Sequence, residues 1–170
     1  NQYQYYQQLI LKHYPELWHE QLCFNGGGSP TFMLHTQRTV CNDVAFGSML
    51  LKPSDFDLEI LKDFRPALWL VSPVLKVIEQ VQLPALELMN KLPIGQRAVF
   101  IYGGYWLAKV VYPQGLKPHL LYGRSSNQEM LVMPKQTQLS IDDYIILRPT
   151  QSEAVLPQFD QLSVYTQHQF

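Results

Sequence analysis

Three consecutive glycines, Gly26-Gly27-Gly28, flanked by Asn25 and by Ser29-Pro30-Thr31, constrain this chain more than any other feature. They follow a short apolar run, Gln21-Leu22-Cys23-Phe24, that reads as a buried strand. Glycine reaches positive φ and lets the backbone approach a ligand without a Cβ clash. Successive N–H groups here, with the Ser29 and Thr31 hydroxyls, suit a nest around a dianionic phosphate. The other reading of the segment is a flexible turn between two elements. A Walker-type loop is excluded, because no Gly-Lys-Ser/Thr follows the glycines.

The 170 residues are 46% hydrophobic, enough to bury a core in one large domain or two small pieces. Net charge is −1 and the Lys and Arg residues are dispersed, so the chain lacks the basic footprint of a nucleic-acid binder. No apolar run approaches the ~18 residues of a membrane span, and no basic-then-apolar leader opens the chain. Cys23 and Cys41 each lie in strand-like apolar surroundings and read as buried reduced thiols, which fits a cytoplasmic protein. The chain opens at Asn1 directly in a helix-like pattern, as the C-terminal part of something longer would.

The pattern changes character near residue 60. Before it, Tyr3, Tyr6, Ile10 and Leu11 recur at helical spacing until Pro15. The Gln21–Phe24 strand, the glycine loop, an apolar run at Val44–Leu51 and a short helix at Leu58–Phe64 behind Asp55 and Asp57 follow. Such strand–loop–helix alternation belongs to α/β architecture with a parallel sheet. After it, Ala67–Val71, Ala98–Tyr102, His119–Tyr122, Met130–Met133, Tyr144–Leu147 and Leu162–Tyr165 read mainly as strands, and Pro73–Val81 as strand or short helix. Pro84–Lys91 reads as one helix among them. Short aromatic and β-branched runs divided by Pro, Gly, Asn and Asp predict a small antiparallel barrel or sandwich.

Three segments in order, Asn25–Phe32 (NGGGSPTF), Asn42–Ser48 (NDVAFGS) and Leu147–Asp160 (LRPTQSEAVLPQFD), carry a family resemblance. Together they resemble the C-terminal half of the pyridoxal-phosphate enzymes grouped as D-threonine aldolases and D-serine dehydratases. Gly47–Leu58 (GSMLLKPSDFDL), Ser72–Lys76 (SPVLK), Tyr102–Trp106 (YGGYW) and Tyr122–Met130 (YGRSSNQEM) look like a branch known as predicted amino acid aldolase or racemase. The resemblance runs from about residue 20 onward. It implies a fold of α/β plus β class: the last strands and helices of an alanine racemase-type (β/α)8 barrel over residues 1–60, then a mainly antiparallel β domain over 61–170.

What the resemblance implies for the site follows residue by residue. Gly26, Gly27, Gly28, Ser29 and Thr31 would hold the phosphate of pyridoxal 5'-phosphate. The lysine that carries the cofactor in that family lies near the start of its barrel, and no lysine here matches it, so the chain alone is expected to be inactive. Metal-dependent members place a His and a Cys two residues apart after a proline. Here Pro149 is followed by Gln151 and Glu153 at those places. An amide and a single carboxylate are a poor substitute for an imidazole–thiolate pair, so no zinc is expected. Gln151 and Glu153 are instead candidates for lining the pocket, with Glu153 as an acid–base group or an ordinary loop carboxylate. A homodimer is implied, because in this family the C-terminal domain completes the partner's active site.

Read from the residues alone, Tyr102-Gly103-Gly104-Tyr105-Trp106 places two glycines between large rings, either near a ligand or as a bulge in a packed core. This makes Tyr105 a candidate substrate contact. Arg124, opening the polar stretch Arg124–Glu129, is a candidate for a substrate carboxylate or part of a plain turn. The five histidines show no ligand spacing. Two functional classes therefore stand: a fragment of a pyridoxal-phosphate racemase, aldolase or dehydratase of D-amino acids, or a non-catalytic phosphate-binding or interaction domain.

Overall fold

Tyr3, Tyr6, Ile10 and Leu11 do lie on a helix, α1 (Gln2–His13), in the computed structural model, which describes residues 2–37, 40–81 and 96–166. Lys12 and His13 occupy its last turn, where positive charge meets the negative end of the helix dipole. Tyr14, pushed out of helical conformation at φ −141° by the proline after it, ends the helix, and Pro15–Leu17 continues as a single 3-10 turn. None of the α1 side chains is buried.

The chain divides into two compact units, Asn1–Ala67 and Leu68–Phe170. In the first, β1 (Asn25–Gly27) runs parallel to β2 (Asp43–Ala45), with Asn25 opposite Asp43, Gly26 opposite Val44 and Gly27 opposite Ala45. Side chains reinforce this short ladder. Asn42 accepts the Phe24 N–H at 2.8 Å and donates to the Leu22 carbonyl at 2.7 Å, while the Asn25 amide donates to the Asp43 carboxylate. Single 3-10 turns follow at Phe32–Leu34, Ser48–Leu50, Ser54–Phe56 and Glu59–Leu61. Met49, Pro53 and Leu61 are its buried apolar side chains among the described residues.

The expected (β/α)8 barrel portion is not what this unit contains. Among the described residues the chain has two α-helices: α1, and the four-residue α2 (Ser152–Val155) in the other unit. A parallel pair is usually joined by a crossover helix, but the single turn Phe32–Leu34 is the helical element between β1 and β2. Pro30 and the polar His35-Thr36-Gln37 deny that stretch an apolar stripe at helical period. The predicted strands and helix shrink accordingly. Gln21–Phe24 is not a strand, Val44–Leu51 keeps extended geometry only to Ala45, and the Leu58–Phe64 helix is one 3-10 turn.

Among the described residues the second unit forms one antiparallel sheet of six strands: β3 (Leu70–Ile78), β4 (Arg97–Tyr102), β5 (Ala108–Tyr112), β6 (Lys117–Pro118), β7 (Gln128–Met133) and β8 (Tyr144–Pro149). Their order is β5-β8-β3-β4-β7-β6, which leaves β5 and β6 at the two edges. Alternation puts Leu70, Val74, Val99, Ile101, Ala108, Leu131, Met133, Ile145 and Leu147 on the inner face, where Leu116 and Val155 join them. Burying a side chain of this size stabilises by about 1.5–3 kcal/mol, so the apolar stabilisation of the described residues is concentrated here.

A bulge between Val74 and Lys76 lets β3 pair with β4 beyond Pro73, whose missing N–H the sheet accommodates opposite Tyr144. Leu162–Tyr165, read as a strand, is irregular, with Val164 and Tyr165 each 89% exposed. His119–Tyr122 is a turn. The helix at Pro84–Lys91 lies outside the described residues.

Candidate functional site

The glycine run is divided between strand and turn. Gly26 and Gly27 belong to β1, and Gly28 opens the turn after it. Gly27 has φ +84° and Gly28 φ +120°, conformations that side chains with a Cβ rarely adopt. The Gly28 carbonyl accepts the N–H groups of both Thr31 and Phe32 at 2.9 Å. This folds Ser29-Pro30 into a tight turn. Among the described residues the turn and loop hydrogen bonds give the Ser29 N–H no protein acceptor.

Ser29 is nearly buried, at 9% exposed. Its hydroxyl oxygen accepts the Met49 N–H at 3.2 Å and the Gly47 N–H at 3.4 Å. The turns leaving the C-terminal ends of both parallel strands therefore meet at Ser29. Having accepted twice, that hydroxyl still has its own proton to donate. Thr31 is differently placed: its N–H is spent on Gly28, and its side chain is exposed. Phe32 stacks on Phe46 with ring centroids 4.2 Å apart and meets Phe64 edge-on, a small aromatic wall below the junction.

Lys52, 6% exposed, is the lysine nearest this junction in the chain. Its ammonium donates to the carbonyls of Leu61 at 2.8 Å and Phe64 at 2.5 Å. Among the described residues Cys23 and Cys41 are not joined in a disulfide, and Cys23 is exposed rather than buried. Desolvation and the neighbouring Asp43 carboxylate push the Cys23 thiol up from its ordinary value.

The remaining candidates lie in the second unit, where sheet register gathers their segments at one end. Tyr102 at the end of β4 faces Gln128 at the start of β7, and Ala108 at the start of β5 faces Pro149 at the end of β8. The loop between β4 and β5 is tied on both sides. Gly103 N–H donates to the Asn127 carbonyl at 3.1 Å, and the Leu107 carbonyl accepts from Thr150 N–H at 2.7 Å and its hydroxyl at 2.9 Å. Gly104 is required by space: a Cβ there would stand 2.7 Å from the Ser126 carbonyl oxygen. Tyr105 projects from this loop, 71% exposed. Gln151 and Glu153 are exposed at the start of α2, where Gln151 gives no side-chain cap. Between them Ser152 is buried, and its hydroxyl lacks a partner among the described residues.

Arg124 turns inward. Its Nε lies 3.2 Å from Glu129 Oε2, and its Nη2 donates to the Ala108 carbonyl at 2.9 Å. Glu129 is 4% exposed at the head of β7. Burial pushes its carboxyl up from the ordinary range, partly offset by the Arg124 charge and hydrogen bond. Sequence reading missed Glu129, although a carboxylate opening the apolar run Met130-Leu131-Val132-Met133 was the available signal.

Among the described residues no group of three His, Cys, Asp or Glu is placed to hold a metal ion, and no helix is long and apolar enough to cross a membrane. The chain matches no family model, no curated protein and no solved structure.

Proposed function

We propose that the junction of the Gly28-Ser29 turn with the Gly47–Met49 turn binds a phosphate group. We further propose that the phosphate is that of pyridoxal 5'-phosphate in an enzyme acting on amino acids, as a racemase, aldolase or dehydratase of D-amino acids. One observation carries the reading: two turns leave the C-terminal ends of a parallel strand pair and are joined by a nearly buried serine, beside the backbone N–H groups of the Gly28-Ser29 turn, of which the Ser29 N–H has no protein acceptor among the described turn and loop hydrogen bonds. Such N–H groups, together with a hydroxyl proton, match the acceptor oxygens of a phosphate dianion. The donors would be Gly28 and Ser29, with Gly26 and Gly27 setting the strand that aims them. When bound, the cofactor supplies an electron sink for charge developing at the amino acid Cα.

A second reading is a phosphate-binding or interaction domain without chemistry. It is favoured by Lys52, whose ammonium is engaged by the Leu61 and Phe64 carbonyls. The homodimer and the cytoplasmic setting stay with the first reading, the latter supported by two cysteines not joined in a disulfide.

The test is titration of the full chain with inorganic phosphate and with pyridoxal 5'-phosphate, followed by amide chemical shifts and cofactor fluorescence. Saturable shifts at Gly28 and Ser29 are expected, weakened by about tenfold in Gly28→Ala through loss of the positive-φ turn. Binding that the substitution leaves untouched would overturn the assignment of the site.

A further inference from the structure

The second unit holds a cavity of about 190 Å³ that the phosphate reading does not use. Ala108 and Val110 of β5, Leu147 of β8 and Leu116 form its apolar walls, and Arg124 and Glu129 are its charged lining. Lys109 also borders it but is exposed. We propose that this cavity is a binding site for a small zwitterion with the size and charge of an α-amino acid, its carboxylate taken by Arg124 and its ammonium by Glu129.

Glu129 is the first ground. It sits in an apolar strand, 4% exposed, where the sheet needs no carboxylate and where burying one is costly. Its partner leaves capacity on both sides. The contacts made use Nε and Nη2 of the guanidinium and Oε2 of the carboxylate. Nη1 and Oε1 are not used in these contacts. A donor of positive charge and an acceptor of negative charge therefore stand side by side with hydrogen-bonding sites that these contacts do not use.

Size is the second ground. At about 190 Å³ the cavity is below the ~300 Å³ where pockets for drug-sized ligands begin, which favours a small ligand. A simple anion would face the Glu129 carboxylate, and a simple cation would face Arg124. A zwitterion satisfies both and turns its side chain to Val110, Leu116 and Leu147.

The experiment titrates the full chain with alanine, with sodium acetate and with ethylammonium chloride, reading amide shifts of Ala108, Val110 and Glu129. Neither phosphate nor cofactor is present, so the result is independent of the glycine loop. Alanine is expected to saturate at concentrations about tenfold or more below either half-molecule, since only it engages both charges. Glu129→Gln should weaken alanine binding by about the same factor. Val110→Phe, which fills the cavity and leaves both charges, should abolish it. If Glu129→Gln unfolds, Val110→Phe decides. Acetate binding as tightly as alanine, alanine binding that survives Val110→Phe, or no saturable shift at all would overturn the proposal.

Discussion

The Ser29 hydroxyl accepts the Met49 N–H at 3.2 Å, and through that bond the turn after β1 is held to the turn after β2. Ser29→Ala removes this acceptor and leaves the Met49 and Gly47 N–H groups without it. The expected loss is about 1–2 kcal/mol, the usual cost of orphaning a buried donor. Hydrogen exchange at the Met49 amide is the direct reading, and exchange no faster than in the parent would contradict it.

Gly28 and Gly47 flank the same junction and should respond unequally to alanine. Gly28 stands at φ +120°, and alanine there is expected to destabilise by roughly 1–3 kcal/mol. Around Gly47 a Cβ would meet nothing within 4 Å, so the same substitution should stay within about 0.5 kcal/mol. Urea unfolding of the two variants separates them.

Lys52→Met tests what holds the 3-10 turns of the first unit. The substitution keeps the unbranched stem of the side chain, one atom shorter, but leaves the Leu61 and Phe64 carbonyls without their cationic donor. A loss of about 1.5–3 kcal/mol is expected, seen as early melting of the first unit's amides before those of the sheet.

The strands of the second unit were legible because Ala98–Tyr102, Met130–Met133 and Tyr144–Leu147 place apolar and β-branched residues in short runs bounded by turn formers. Asn25–Gly27 was not, since glycine and asparagine disfavour strands and only pairing with Asp43–Ala45 makes one there. Leu162–Tyr165 has strand-like residues and, among the described residues, no strand to pair with. A barrel inferred from resemblance required amphipathic helices that Pro30 and the polar residues after it do not supply. At the glycine loop, the conformational need was readable from residue type, whereas the Ser29 link to Met49 depends on a fold-level encounter. The Arg124–Glu129 pair closes a polar turn, and only burial distinguishes it from a solvated one.

Glu129 predicts a pH dependence. Its carboxyl lies above its unfolded value, so the folded state holds a proton more firmly than the unfolded chain does. Stability contributed by this group is then full below the unfolded carboxylate value of about 4.3 and falls as pH rises through the folded one. Glu129→Gln should flatten that part of the profile. Denaturant midpoints of parent and variant measured across the range from the ordinary carboxylate value upward check it, and parallel profiles would refute it.

The place of β8 in the sheet has a consequence for synthesis on the ribosome. Leu70 at the start of β3 pairs with Leu147, and β5 finds its partner among the described residues in the same late strand, through Ala108 opposite Pro149. Until residue 149 has emerged, both strands wait with open hydrogen-bonding edges, since non-local pairings must close long loops first. A nascent chain halted before Tyr144 would therefore expose two sticky edges at once, and this is the length at which a holding chaperone would matter most.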